Sequence, residues 1–165
     1  MSHESHKGTT MDIYTISFFG HRYLDDFRTA EDKLTDLITG LLQEKEYVEF
    51  LVGRDGDFDQ IVTSTIIRVK RLYGSNSSSL IWVLPYSTAD LEHNLEAYED
   101  YYDEIEICEA SADSHPKAAI QKRNRNMVDR SDLVVCYVDH ETGGAYQTMN
   151  YATRQGRHVI NLAQK

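Results

Sequence analysis

Apolar residues recur along this chain at two spacings, and each spacing predicts one type of element. Runs rich in β-branched and aromatic residues predict buried strands at residues 12–19, 47–52, 80–84, 104–108, 133–138 and 158–162. Apolar residues at helical spacing predict helices at residues 25–45, 58–73, 117–130 and 144–155. The segment 87–102 is acidic and rich in tyrosine, and it predicts a short helix followed by a loop.

This alternation of strands and helices, joined by short loops, predicts the fold class. It is typical of a mostly parallel sheet with helices on both faces, which is the Rossmann-like α/β arrangement. A chain of 165 residues has room for one such domain, which we place at residues 12–165. We interpret the polar residues 1–11 as a disordered or tag-like extension. They lack the apolar core of a signal peptide, so we expect a cytoplasmic protein.

Charge and composition narrow the function classes. A net charge of −10 argues against nucleic acid as the main partner, because such surfaces collect lysine and arginine. The net charge does not exclude one small phosphorylated ligand, because such a ligand needs only a few local donors. No apolar run approaches the roughly 20 residues that span a bilayer, so no membrane partner is expected. The histidines and the two cysteines show no metal-ligand spacing, so we expect no metal and no resident cofactor, and two buried free thiols.

Candidate ligand-binding residues follow the first predicted strand. In open α/β sheets, ligands bind outside the carboxyl ends of the strands. Gly20, His21 and Arg22 lie at such an end, where a glycine lets the backbone approach a ligand and arginine offers a donor fork for phosphate. The alternative is a turn glycine with a solvated histidine–arginine pair.

The loop after the second predicted strand holds glycines and carboxylates. Gly53 permits a sharp turn, and Asp57 and Asp59 offer acceptors to ribose hydroxyls. Asp57 equally suits an N-cap for the following helix, which is the more common role of aspartate at that position. The loop is neither a GxGxxG nor a Walker sequence.

The loop at residues 139–145 runs directly from the fifth predicted strand into a helix. Thr142, Gly143 and Gly144 expose backbone N–H groups at the helix start, where the helix dipole favours an anion. Thr148 adds a hydroxyl one turn into the helix. A tight turn without a ligand is the alternative.

Taken together, four motifs resemble the SLOG superfamily, which joins the DNA-processing Smf/DprA proteins with the Lonely-Guy enzymes. The nearest branch resembles the small YpsA/YoqJ-like proteins of bacteria and phages. The motifs are Gly20-His21-Arg22, Gly53-x-x-Gly-x-Asp-x-Asp59, Lys122-Arg-Asn-x-x-Met-Val-Asp-x-Ser-Asp132 and Gly143-Gly-x-x-x-Thr-x-x-Tyr-Ala152. The resemblance implies a Rossmann-like fold, a nucleotide pocket and a homo-oligomer. It also adds Arg123 and Asn124, on the predicted helix 117–130, to the ligand-binding residues.

The resemblance implies two kinds of function, and this chain differs from the enzymes at one residue of their signature. Some relatives cleave the N-glycosidic bond of a nucleotide, whereas others sense a ligand. The glutamate of the Lonely-Guy signature is absent here, because the helix continues Met149-Asn150-Tyr151. We therefore predict binding of a nucleotide-type small molecule, as a sensor or sequestering protein. The alternative is a nucleotide N-glycosidase that uses Asp139 or Glu141. A third hypothesis is a protein-interaction role through the segment 98–102.

Overall fold

Six strands form one sheet in the structure, a computed structural model that describes residues 11–164. The strands are β1 (Ile13–Gly20), β2 (Tyr47–Val52), β3 (Ser78–Leu84), β4 (Glu104–Ile107), β5 (Leu133–Tyr137) and β6 (His158–Asn161). The helices are α1 (Phe27–Glu44), α2 (Asp57–Tyr73), α3 (Ala89–His93), α4 (Leu95–Tyr101), α5 (Pro116–Asp129) and α6 (Gly144–Arg154). Apart from Met11, the predicted extension at 1–11 lies outside the described residues.

All neighbouring strands are parallel, and their order is β4-β3-β2-β1-β5-β6. In the centre, Ile16 of β1 is in register with Phe50 of β2 and with Leu133 of β5. The chain builds outward from β1 to β4 and then returns to the other side of β1. The strand order therefore reverses between β1 and β5, and such a point opens a crevice at the carboxyl ends of the strands.

Each face of the sheet has its own apolar core, because side chains of a strand alternate between the two faces. Ile16, Phe18 and Phe50 belong to the core that includes α1 and α2. Phe19 and Leu51 belong to the second core, beneath α5 and α6. The helices thus cover both faces, and the predicted Rossmann-like α/β class is confirmed.

Local capping explains where helices begin. The side chain of Asp26 accepts the N–H of Thr29 at 3.0 Å, so α1 begins at Phe27. Pro116 occupies the first turn of α5, where its missing N–H is not needed. The tyrosine-rich segment forms two short helices instead of one, and the rings of Tyr98 and Tyr102 pack against Trp82 at centroid distances of 5.0 and 5.2 Å. Within residues 11–164, no helix combines the length and apolarity needed to span a bilayer.

Candidate functional site

A cavity of about 390 Å³ lies at the carboxyl ends of the strands, where the strand order reverses. It is bordered by the loops after β1, β2 and β5 and by one face of α5. Most of the predicted ligand-binding residues line it, namely Gly20, His21, Arg22, Gly53, Asp59, Arg123, Asn124, Thr142, Gly143 and Gly144. The fold therefore brings four separate sequence motifs to one place.

Two predicted residues, Asp57 and Thr148, do not line the cavity but support its walls. The carboxylate of Asp57 accepts the N–H of Leu24 at 3.0 Å, and the N–H of Asp57 donates to the carbonyl of Arg22 at 2.8 Å. Thr148 is buried, accepts from the side-chain amide of Asn124 at 3.1 Å and donates to the carbonyl of Gly144 at 2.9 Å. Both residues fix loops that face the cavity.

Gly20, at the end of β1, packs closely against the first turn of α2. A Cβ at this position would overlap the ring of Phe58, which is fully buried in the first turn of α2. The glycine therefore lets α2 approach the end of β1. That contact brings the loop after β2 close to the loop after β1, and both loops border the cavity.

The start of α6 offers the cavity unpaired backbone donors. Gly143 is the N-cap of this helix and has no side chain that could cap it. The first N–H groups of a helix have no partners within the helix, and the helix dipole adds a partial positive charge there. Gly143, Gly144 and Ala145 line the cavity, so this wall is suited to an anion.

His21 lies under the neighbouring loop after β5. Its Nε2 accepts the N–H of Asp139 at 3.1 Å, and its ring stacks on that of His140 at a centroid distance of 3.5 Å. Burial, and next the neighbouring His140, lower the pKa of His21 below its usual 6.5, although the charge of Asp139 opposes them. His21 is therefore a neutral packing residue at neutral pH rather than a cation for phosphate.

His21, Asp139 and His140 also carry potential metal-ligand atoms within 4.8 Å of one another. The two rings are nearly parallel, at 11°, and lie one above the other. A metal ion binds a histidine nitrogen in the plane of its ring, so one ion cannot lie in both of these planes. This arrangement is therefore a stacked pair and not a preformed metal site.

Arg123 is 2% exposed, and its charge is balanced by a residue that the sequence analysis did not select. Its Nη2 donates to the carboxylate of Asp55 at 2.7 Å, its Nη1 to the carbonyl of Val83 at 2.8 Å, and its Nε to Asn124 at 2.9 Å. Asp55 stands in the loop after β2, and nothing in its local sequence distinguishes it from its acidic neighbours. Asp55 becomes recognisable only once Arg123 is known to be buried, because a buried charge requires a partner.

Asp59 is the buried carboxyl group of the cavity. Its Oδ2 accepts the N–H of Asp55 at 2.8 Å. Burial, and next the charge of Asp55, raise the pKa of Asp59 to about 7, against the opposing effects of that hydrogen bond and of Arg123. The group therefore exchanges a proton near neutral pH.

The two carboxylates proposed for hydrolysis from the sequence, Asp139 and Glu141, are exposed and do not line the cavity. Asp55 and Asp59 are the carboxylates that line it. Tyr23, which is 81% exposed, stands at its mouth beside Arg22 and was also missed by the sequence analysis. Proximity to the glycine pair in sequence was thus a poor guide to proximity in space.

No protein-family model and no curated protein matches this chain. Solved structures do match. DNA processing protein A (DprA) from Streptococcus pneumoniae superposes with a TM-score of 0.65 at 17% identity, over 89% of this chain and 49% of that protein. DNA processing protein A from Helicobacter pylori gives 0.63 at 16%, over 88% and 63%. The structural genomics target TM1055 gives 0.54 at 16%, over 88% and 72%.

One prediction is corrected by these comparisons. The H. pylori protein is described for its unique single-stranded DNA binding mode, so the prediction that nucleic acid is not a main partner is wrong. The physical reason is that a net charge of −10 describes the whole chain, whereas a single strand needs only one local groove. This chain spans about half to two thirds of the length of the two DprA proteins.

The fold comparison agrees with the sequence motifs. All three neighbours superpose over nearly nine tenths of this chain, with its six parallel strands and covering helices. The fold that the resemblance implies is therefore confirmed: this chain has the Rossmann-like architecture of the two DNA processing protein A structures.

Proposed function

We propose that this chain binds a nucleotide-type ligand in the cavity, with the ligand's phosphate at the start of α6. The observation that carries the proposal is that the uncapped start of α6 opens onto the same cavity as buried polar groups. Arg22 lines the cavity too, is exposed, and forms no ion pair within residues 11–164. An anion at this wall would thus meet backbone donors and a cationic side chain.

Binding without turnover, as in a sensor or a sequestering protein, is the primary form of this proposal. The cavity is lined both by polar side chains, such as those of Asp59 and Asn124, and by apolar ones, such as those of Phe19, Ile120 and Met127. Such a mixture is usual for small-molecule sites, in which apolar surface contributes affinity and a few polar groups set orientation.

The proposal is tested by deleting a single backbone donor. Gly144 is the first residue of α6, and proline is well tolerated there, so Gly144→Pro removes one N–H while keeping the helix. Gly144→Ala is the matched control, because it adds a Cβ and retains the N–H. One hydrogen bond to a charged group contributes about 1.5–3 kcal/mol, so nucleoside monophosphates should bind Gly144→Pro about 10- to 100-fold more weakly.

The readout is calorimetric affinity for a panel of nucleoside mono-, di- and cyclic nucleotides, with the parent nucleosides as controls. The proline variant should lose its preference for nucleotides over nucleosides, whereas the alanine variant should keep it. Equal affinity of both variants for the same nucleotide would place the phosphate elsewhere. A failure of every nucleotide to bind the unmodified protein would refute the proposal.

Single-stranded DNA is a second candidate partner, and the H. pylori neighbour favours it. A nucleotide of a strand would place its phosphate at α6 and continue past the mouth of the cavity, beside Tyr23. Bases stack readily on exposed aromatic rings. Fluorescence anisotropy with labelled oligonucleotides of increasing length distinguishes the two, since strand binding strengthens with length and weakens steeply with salt.

Hydrolysis of an N-glycosidic bond is the alternative that Asp55 and Asp59 favour. Asp59, with a pKa near 7, is suited to protonate a departing base, and Asp55 lies beside it to stabilise positive charge on the sugar or to activate water. Release of free base from a nucleoside monophosphate, followed by chromatography, tests it. Base release that is lost in Asp59→Asn would establish turnover and exclude a purely binding role.

A further inference from the structure

Three side chains converge around Gly53, at the end of the cavity formed by the loop after β2. A Cβ built on Gly53 would lie 3.1 Å from Oδ2 of Asp59, 3.2 Å from Oδ2 of Asp55 and 3.6 Å from Nη1 of Arg123. Asp59 is 9% exposed and Arg123 is 2% exposed. Because Gly53 has no side chain, the two carboxylates and the guanidinium approach one another closely beside it, and all three of their residues line the cavity.

These groups retain unused hydrogen-bonding capacity. A guanidinium has five N–H donors, and Arg123 donates three hydrogen bonds, to Asn124, Val83 and Asp55, within the part of the chain that the structure describes. Asp55 and Asp59 each use one carboxylate oxygen as an acceptor of the described hydrogen bonds. The end of the cavity at Gly53 therefore presents at least one donor next to a set of acceptors.

A phosphate does not suit this end of the cavity. An anion at Gly53 would lie within about 3 Å of two carboxylates, where like charges repel strongly, and it would have to displace Asp55 from Arg123. The anion-binding wall is instead at the start of α6, which follows β5. Since β1 separates β5 from β2, the two ends are two strand spacings apart, about 10 Å.

This separation gives a bound nucleotide a direction. In a nucleotide, the sugar follows the phosphate and the base is the most distant group. A ligand with its phosphate at α6 would thus direct its base towards Gly53. The base must then match one donor beside two acceptors, and bases differ in that pattern along their Watson–Crick edges.

We propose that Arg123, Asp55 and Asp59 form a subsite for the Watson–Crick edge of guanine. Guanine presents an acceptor, O6, followed by two donor groups, N1–H and N2–H₂, so O6 accepts from Arg123 and the donors bind the carboxylates. Adenine presents a donor followed by an acceptor, and uracil presents acceptors on both sides of its N–H. This inference rests on the proposed function, because the phosphate at α6 sets the direction of the ligand.

The test compares purine monophosphates that differ at one position. Inosine monophosphate lacks the N2 amino group, and xanthosine monophosphate has a carbonyl acceptor in its place. We expect affinity to fall from guanosine to inosine monophosphate by about tenfold, and further for xanthosine monophosphate, since a bidentate pair to a base discriminates by that order or more. Adenosine monophosphate should also bind more weakly than guanosine monophosphate.

Substitution identifies the side chain responsible. Asp59→Asn replaces an acceptor by an amide that also donates, so the guanosine-to-inosine affinity ratio should fall towards one. The control is Asp36→Asn, the same substitution at an exposed position on α1, outside the cavity, which should keep the ratio. Both variants are measured by calorimetry on the full chain.

The outcomes separate this inference from the proposed function. Equal binding of the four purine nucleotides, or a ratio unchanged by Asp59→Asn, overturns the guanine subsite while the nucleotide site itself stands. If no nucleotide binds at all, both are refuted. Preference for guanosine monophosphate that is lost only in Asp59→Asn supports the subsite.

Discussion

The buried carboxyl of Asp59 makes a contribution to stability that decreases as pH rises, which is the opposite of the usual effect of an aspartate. Its pKa is about 7 in the folded chain, against 3.8 for an ordinary aspartate. Between these values the folded state holds a proton that the unfolded state has released. The contribution of Asp59 to the free energy of unfolding therefore falls as pH rises from about 4 to about 7, and it levels off above that.

The size of this effect follows from the two pKa values. A tenfold change in proton affinity corresponds to about 1.4 kcal/mol, so the difference between 3.8 and about 7 amounts to something on the order of 4 kcal/mol. Asp59→Asn has the same shape, keeps an acceptor for the N–H of Asp55 and does not titrate. Its stability relative to the unmodified protein should increase over this pH range by up to that amount.

Urea denaturation of both proteins at pH 5, 6, 7 and 8 measures this difference directly. Other titrating groups are common to the two proteins, so the difference in free energy isolates Asp59, provided that the denaturant m-value is unchanged. If the unmodified protein instead gained stability over the variant as pH rose, Asp59 would be an ion-paired carboxylate with a lowered pKa. The account of Arg123 as the partner of Asp55 would then be refuted.

Three further changes test how the cavity walls are built. Gly20→Ala should destabilise the protein by about 1–3 kcal/mol, because its Cβ overlaps the ring of Phe58; unchanged urea midpoints would contradict that packing. Asp57→Ala should cost about 1 kcal/mol through the lost bond to Leu24, and Asp57→Asn, which keeps an acceptor, should cost less in the same assay. Burial raises the pKa of Cys136 to about 12, so thiol reagents at pH 8 should modify it only after denaturation, and rapid labelling of the folded chain would disprove its burial.

The sequence predicted the fold well because its signals are local. Alternating and helical spacings of apolar residues decide which segments are strands and which are helices, and six parallel strands follow from their alternation. The segment 87–102 was less well predicted, because its two short helices depend on packing of Tyr98 and Tyr102 against Trp82 on a distant strand. Helix starts were displaced by one or two residues, since they depend on caps such as Asp26.

The candidate site was predictable from the residues themselves where a motif lies on a strand end, whereas Arg123 and Asn124, on α5, were predicted from the family resemblance. Gly20, Gly53 and Gly143 reach the same cavity because the carboxyl ends of parallel strands share one edge of the sheet. Asp55 was missed, because its importance arises from Arg123, 68 residues away in sequence. Whether these residues bind a ligand stays a prediction.

The pairing of Arg123 with Asp55 gives this arginine two possible roles, which are direct contact with the ligand and neutralisation of a carboxylate of the cavity. The family resemblance added Arg123 to the ligand-binding residues, yet its guanidinium is already balanced by one carboxylate and anchored to the carbonyl of Val83. Removing it would leave Asp55 and Asp59 without their cation and make the whole cavity more negative, so weaker anion binding in Arg123→Ala would follow even without direct contact. Only the double variant Arg123→Ala with Asp55→Asn separates these roles. Restored nucleotide binding in the double variant would show that Arg123 acts by neutralising Asp55. Continued loss, with nucleotide binding retained in Asp55→Asn alone, would show that the ligand needs the guanidinium itself.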